Sequence, residues 1–227
     1  RRLNAVAVEL PEGVTPAGTR GRILHSALKH FAEFGYFGAS IRDIAEGAEI
    51  NSATLYTHYA SKERILAELV LIGHRELQHR LQQALIRAVA RRYDASPAAD
   101  RGALDKAYAD SMTEAARAFP NNDTIQVLFA ESLMDLSPWD YWEAAGSRPK
   151  NRTAELVDAL ERVLERNPTH PGAAHYYIHA MEASVHPEKA ADHLKLALDK
   201  TKACGAEALP GVTFDSIGER TGVSPTE

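Results

Sequence analysis

At 227 residues the chain has room for one large domain or two small ones, with 44% hydrophobic and 25% charged residues, ordinary values for a globular protein. No stretch has the length and apolarity of a membrane span, and the opening apolar run holds Glu9 and no convincing cleavage region, so neither a membrane protein nor a signal peptide is expected. The net charge of −5 is unevenly shared: residues 1–92 carry 13 Lys and Arg against 9 Asp and Glu, the remainder 13 against 22.

Residues 1–19, with Pro11, Gly13, Pro16 and Gly18, read as a flexible arm. A helix is predicted from about Arg20 to Phe34, with Leu24, Ala27, Leu28, Phe31 and Phe34 as its buried stripe and Gly35 at its end. Ser40 opens the next helix. Asp43 stands three positions on, as in a capping box, with Ile41, Ile44, Ala45 and Ala48 inward. A turn at residues 49–51 leads to a short helix, Ser52–Tyr59, capped by Asn51. Ser61 then starts a long helix from Lys62 to about Arg92, whose inward stripe is read as Leu66, Leu69, Gly73, Leu77, Leu81 and Ala84. Residues 93–101 read as a linker. Further helices are expected at about 102–118, 122–135, 153–166, 171–184 and 188–201, with prolines near the breaks and no sheet. The fold class expected is all-α: a head at 20–92, a helical body at 102–201 and a tail at 202–227.

Two short helices around a tight turn, the second polar and nearly free of acids, have the form of a helix-turn-helix. Small or hydroxylic residues at Ser52, Ala53, Thr54 and Thr57 let the second helix sit deep against base edges. Ser40, at a helix start, can hold a phosphate. The basic balance of residues 1–92 suits that end of the chain to DNA.

Residues 20–85 resemble the N-terminal domain of TetR-family transcriptional regulators. The matching signature is Ile23, Ala27, Phe31 and Gly35-Tyr36, then Ser40-Ile-Arg-Asp-Ile-Ala45, then Ile50-Asn-Ser-Ala-Thr-Leu-Tyr56-Thr-His-Tyr59, then Ser61-Lys-Glu63. The resemblance implies phosphate contacts from Tyr56, His58 and Lys62. Asn51, read as the cap of the short helix, is also a candidate for contact with the DNA backbone. The resemblance further implies a homodimer on a palindromic operator in double-stranded DNA, repression, and room for a small-molecule effector in the C-terminal region. One departure stands in the turn: Glu49 occupies the family's usual glycine, a position that often needs positive φ.

Beyond the head the chain looks different. Leu160-Glu-Arg-Val-Leu-Glu-Arg-Asn-Pro168, His170-Pro-Gly-Ala-Ala174 and Pro187-Glu-Lys-Ala190 resemble tetratricopeptide-repeat helices, over about residues 108–194. Residues 213–226 align without gaps on 40–53, an echo of the first half of a helix-turn-helix, with Gly222 at the position of Glu49. The juxtaposition suggests a natural or engineered fusion.

His175, His179 and Glu182 fall on one helical face, with Glu131 and Asp135 on another helix. They are the candidates for a metal site, although the spacing is not His-Glu-x-x-His. Trp139 and Trp142 read as packing aromatics. No glycine-rich phosphate loop, nucleophile elbow or cysteine–histidine pair is evident, and Cys204, the single cysteine, points to a reducing cytoplasm. The expectation is a cytoplasmic DNA-binding regulator with no catalytic residue, cofactor or resident metal. A repeat-type interaction scaffold and a metal-dependent enzyme are the alternatives.

Overall fold

The structure, a computed structural model, describes residue 10, residues 13–96 and 98–191, and residues 193 and 195. Most of the predicted helix at 188–201, the tail at 202–227 with its echo, and Cys204 lie outside the described residues. Eight α-helices are present among the described residues: α1 (Thr19–Gly38), α2 (Ile41–Gly47), α3 (Ser52–His58), α4 (Lys62–Arg92), α5 (Arg101–Ala118), α6 (Asp123–Asp135), α7 (Thr153–Arg166) and α8 (Pro171–Met181). A 3-10 turn, Pro187–Ala190, follows α8. There is no strand among the described residues, only an isolated bridge between Trp142 and Pro149. None of the described helices is long and apolar enough to cross a membrane.

The chain divides into a unit ending at Arg80 and a unit beginning at Leu81, so the division falls inside α4. The first unit is the head. Its core is Ile23, Leu24, Ala27, Ile44, Ala45, Ala48, Leu55 and Tyr59, closed by Ile65, Leu69 and Ile72 from α4. Helix α1 bends at Gly35, whose φ of 72° and ψ of 169° break the helical path before one more turn. Glycine thus interrupts the helix where the sequence suggested an end. Phe34, read as buried, is 42% exposed at that break. The arm is less loose than its composition suggests. Val14 packs against the core, and the Pro16 carbonyl crowds the site where Gly21 would carry a Cβ.

The stripe read for α4 needs correction. Gly73 and Leu77 are exposed, whereas Ile65 and Ile72 are buried. The helix serves two cores, so no single apolar phase runs its length. Leu81, Ala84, Leu85 and Ala88 pack on the core of the second unit.

In that second unit the consecutive helices α5, α6, α7 and α8 pack pairwise, and α6 also meets α8. Met112, Ile125, Ala130, Leu156, Leu160, Val163 and Tyr177 form the interior. Local capping explains the helix starts. Asp100, Asn122 and His170 each accept a backbone N–H of the first turn that follows them. Trp142 is partly buried and donates its Nε1 to the Ala180 carbonyl at 2.6 Å. Trp139, read as packing, is instead 69% exposed, with φ 62°.

Candidate nucleic-acid interface

The reading helix is set from both ends by local chemistry. Upstream, α2 closes in a Schellman motif: the Ile50 N–H reaches the Ala45 carbonyl at 3.0 Å, and the Glu49 N–H reaches Glu46 at 3.0 Å. Glu49 lies between them with φ 58°, the left-handed conformation that the missing glycine led one to expect. Its carboxylate is exposed and 3.9 Å from the Arg22 guanidinium. The Asn51 Oδ1 then accepts the Thr54 N–H at 2.8 Å, which caps α3 as its type and position suggested. Downstream, Tyr59 is the C-cap and is buried, 3% exposed.

Between these ends only Leu55 of α3 is buried. Ala53, Tyr56, Thr57 and His58 are exposed, and Ser52 and Thr54 are half-buried. The Thr57 hydroxyl donates to the Thr54 carbonyl at 2.7 Å, and the residue is exposed. Tyr56 and His58 have no hydrogen-bond partner among the described residues. No acid lies between Asn51 and Ser61. The helix α3 itself therefore carries no acid, and its small residues Ser52, Ala53, Thr54 and Thr57 suit insertion into a major groove, while Glu49 lies in the turn before it and Asp43 beside Ser40.

Ser40 and Lys62 are more occupied than their residue types alone suggest. The Ser40 Oγ accepts from the Asp43 N–H at 3.2 Å and donates to Asp43 Oδ2 at 2.6 Å. The Ser40 N–H also donates to that carboxylate, at 3.3 Å. The predicted capping box is present, and it sets an acid beside the hydroxyl. These bonds from Ser40 hold the Asp43 carboxyl below its usual range. The Lys62 ammonium donates to the Tyr36 carbonyl at 2.7 Å and to Ala39 at 2.8 Å, and stands 4.4 Å from the Tyr36 ring centroid. It caps the open end of α1 and has one remaining donor to turn outward. The Tyr36 hydroxyl in turn donates to Glu63 Oε1 at 2.5 Å. Bonds from Ser61, then Tyr36, hold Glu63 down to about 2.

Sequence reasoning missed the groups that brace α3. Arg20 bonds both Tyr59 and Glu68, and the signal for this was faint: Tyr59 belonged to the motif, but nothing marked its partners.

The metal candidates do not assemble. The rings of His175 and His179 meet edge to face with centroids 4.7 Å apart, and His179 Nδ1 is 3.7 Å from Glu182. Arg92 holds both Glu131, at 2.8 Å, and Asp135, at 2.6 Å, while the Tyr108 hydroxyl donates to Glu131 at 3.0 Å. No three His, Cys, Asp or Glu groups converge to hold an ion among the described residues.

Comparison with known proteins agrees with this geometry. Residues 23–69 match the family described as bacterial regulatory proteins, tetR family. The repressor KstR2 of Mycobacterium tuberculosis is 49% identical over 51 residues, which cover 22% of this chain and 26% of the relative. The regulator UidR of Escherichia coli K12 is 40% identical over 53 residues, covering 23% of this chain and 27% of the relative. The chain thus spans about a quarter of the length of the curated relatives it matches. No solved structure matches. These likenesses lie in the head, where residues 23–69 match the tetR-family model.

Proposed function

We propose that the protein is a sequence-specific transcriptional repressor that binds a palindromic operator as a homodimer. In this reading α3 enters the major groove. Ser52, Ala53, Thr54 and Thr57 meet base edges, while Ser40, Asn51, Tyr56, His58 and Lys62 meet the phosphates on either side. The exposed, acid-free face of α3 carries the proposal. It is supported by the family match over residues 23–69 and by the likeness of the head to the transcriptional repressor KstR2. The setting is cytoplasmic, and a small-molecule effector acts through the second unit, lowering operator affinity by reorienting the heads.

Selection of bound duplexes from a random DNA pool tests the reading. The expected outcome is an enriched palindrome, with binding that weakens steeply as salt rises. Recovery of no common sequence overturns it. A second reading, a protein-interaction scaffold, draws on the consecutive packing of α5 to α8. It predicts a protein partner whose capture is indifferent to changes at Tyr56 and Lys62.

A further inference from the structure

Arg20 lies in the first turn of α1, distant in sequence from every residue assigned to DNA above. Its Nε donates to the Tyr59 hydroxyl at 3.2 Å, and a terminal nitrogen donates to Glu68 Oε2 at 2.5 Å. The guanidinium carbon stands 5.2 Å from the Tyr59 ring centroid. Tyr59 closes α3, and Glu68 belongs to the second turn of α4. One planar group therefore joins the start of α1, the end of α3 and the beginning of α4.

The reading helix needs such a brace. At seven residues it is too short to be stable by itself, and a single residue, Leu55, anchors its middle. Asn51 and the Schellman turn fix where it begins. Its far end is fixed by the Tyr59 ring, whose hydroxyl is held by Arg20. A role for Arg20 as a phosphate ligand fits the geometry less well. Its Nε and one terminal nitrogen are already engaged by the phenol and the carboxylate, and Glu68 balances its charge.

We infer that Arg20 is a positioning residue for DNA reading: with Tyr59 and Glu68 it fixes the angle at which α3 offers Ala53, Thr54 and Thr57 to base edges, without touching DNA itself. The inference rests on the DNA-reading assignment made above. Hydrogen bonds to base edges tolerate only small errors of placement, whereas contacts to phosphates are more forgiving. Loss of the brace therefore lowers discrimination between operator and unrelated DNA, and leaves non-specific binding alone.

The test uses the full chain and the duplex recovered by selection. Arg20→Gln, Tyr59→Phe, Glu68→Gln and the Arg20→Gln, Tyr59→Phe double variant are titrated with that duplex and with an unrelated one. Titrations span several salt concentrations, well below each variant's melting temperature. Operator affinity falls about tenfold in each single variant, as expected for loss of a charge-assisted bond. Binding to unrelated DNA and the salt slope stay as in the wild type, and the double variant is no worse than the worse single one. A salt slope reduced by about 1 in Arg20→Gln makes Arg20 a phosphate contact and overturns the inference. An unchanged ratio of operator to unrelated binding overturns it too, since the brace then serves only the fold. Should Arg20→Gln not fold, Tyr59→Phe removes just the hydroxyl and decides the matter. A wild-type chain that selects no duplex defeats the DNA-reading assignment itself, which is a different result from a wild type that binds and variants that match it.

Discussion

The Ile50 amide and the Ala45 carbonyl close the turn of the head with a 3.0 Å bond, and Glu49 between them holds φ 58°. A side chain in that conformation costs about 1 kcal/mol. Glu49→Gly is therefore expected to stabilise the head by about 1 kcal/mol, seen as a rise of a few degrees in melting temperature. It also removes an acid close to the reading helix, so DNA affinity rises or holds. A lower melting temperature would show that the Arg22 pairing outweighs the strain.

Asn51 offers a way to separate capping from recognition. Asn51→Ala costs about 1 kcal/mol of stability through the lost bond to the Thr54 N–H. Asn51→Asp keeps an equally good cap and places a negative charge at the proposed DNA surface. Its thermal melt should match the wild type while its affinity for DNA falls.

Lys62 should matter to the protein even without DNA. Its two bonds to the Tyr36 and Ala39 carbonyls leave with the ammonium. Lys62→Met is expected to destabilise the free protein by about 2 kcal/mol, measured by urea unfolding. An unchanged midpoint would return Lys62 to a purely DNA-facing role.

Glu63 gives a pH signature. Its folded carboxyl sits near 2, against 4.5 for the unperturbed group, because Ser61 and Tyr36 bond its charged form. A depressed carboxyl contributes stability that is complete above the unfolded value and is lost as pH falls toward the folded one. The melting temperature of the wild type should thus drop between pH 5 and pH 2. Glu63→Gln should show a shallower drop across the same window.

In the second unit, Arg92 neutralises Glu131 and Asp135 in a setting where all three groups are less than a third exposed. Arg92→Leu leaves two carboxylates facing each other and should cost about 2 kcal/mol, less than for fully buried pairs because solvent still reaches them. Burial, then Glu131, already raises the Asp135 carboxyl. Mild acid should therefore recover part of the lost stability of the variant, visible as a smaller gap from wild type at pH 5 than at pH 7.

What the sequence revealed was mostly local. Ser40 with Asp43, and Asn51 with Thr54, could be read directly because capping joins residues three apart. The backbone of Glu49 could be anticipated from the glycine it replaces. Arg20 could not, since its partners lie 39 and 48 positions away and only the packed head brings them together. Lys62 displays its charge in the sequence but not the carbonyls that claim it. Periodicity gives the wrong stripe for α4 because one helix obeys two cores in turn. Residue type alone assigns Trp139 to packing, yet it is 69% exposed and meets the edge of the His179 ring at 5.2 Å between centroids.

That shared helix bears on how the molecule can be taken apart. The stretch after Tyr93 looks like the natural place to cut, yet a fragment beginning there would leave Leu81, Leu85 and Ala88 behind and strip a wall from its own interior. It would also lose Arg92, so Glu131 and Asp135 would be stranded without their counterion. An autonomous C-terminal piece has to start before Leu81 and carry the closing turns of α4 with it.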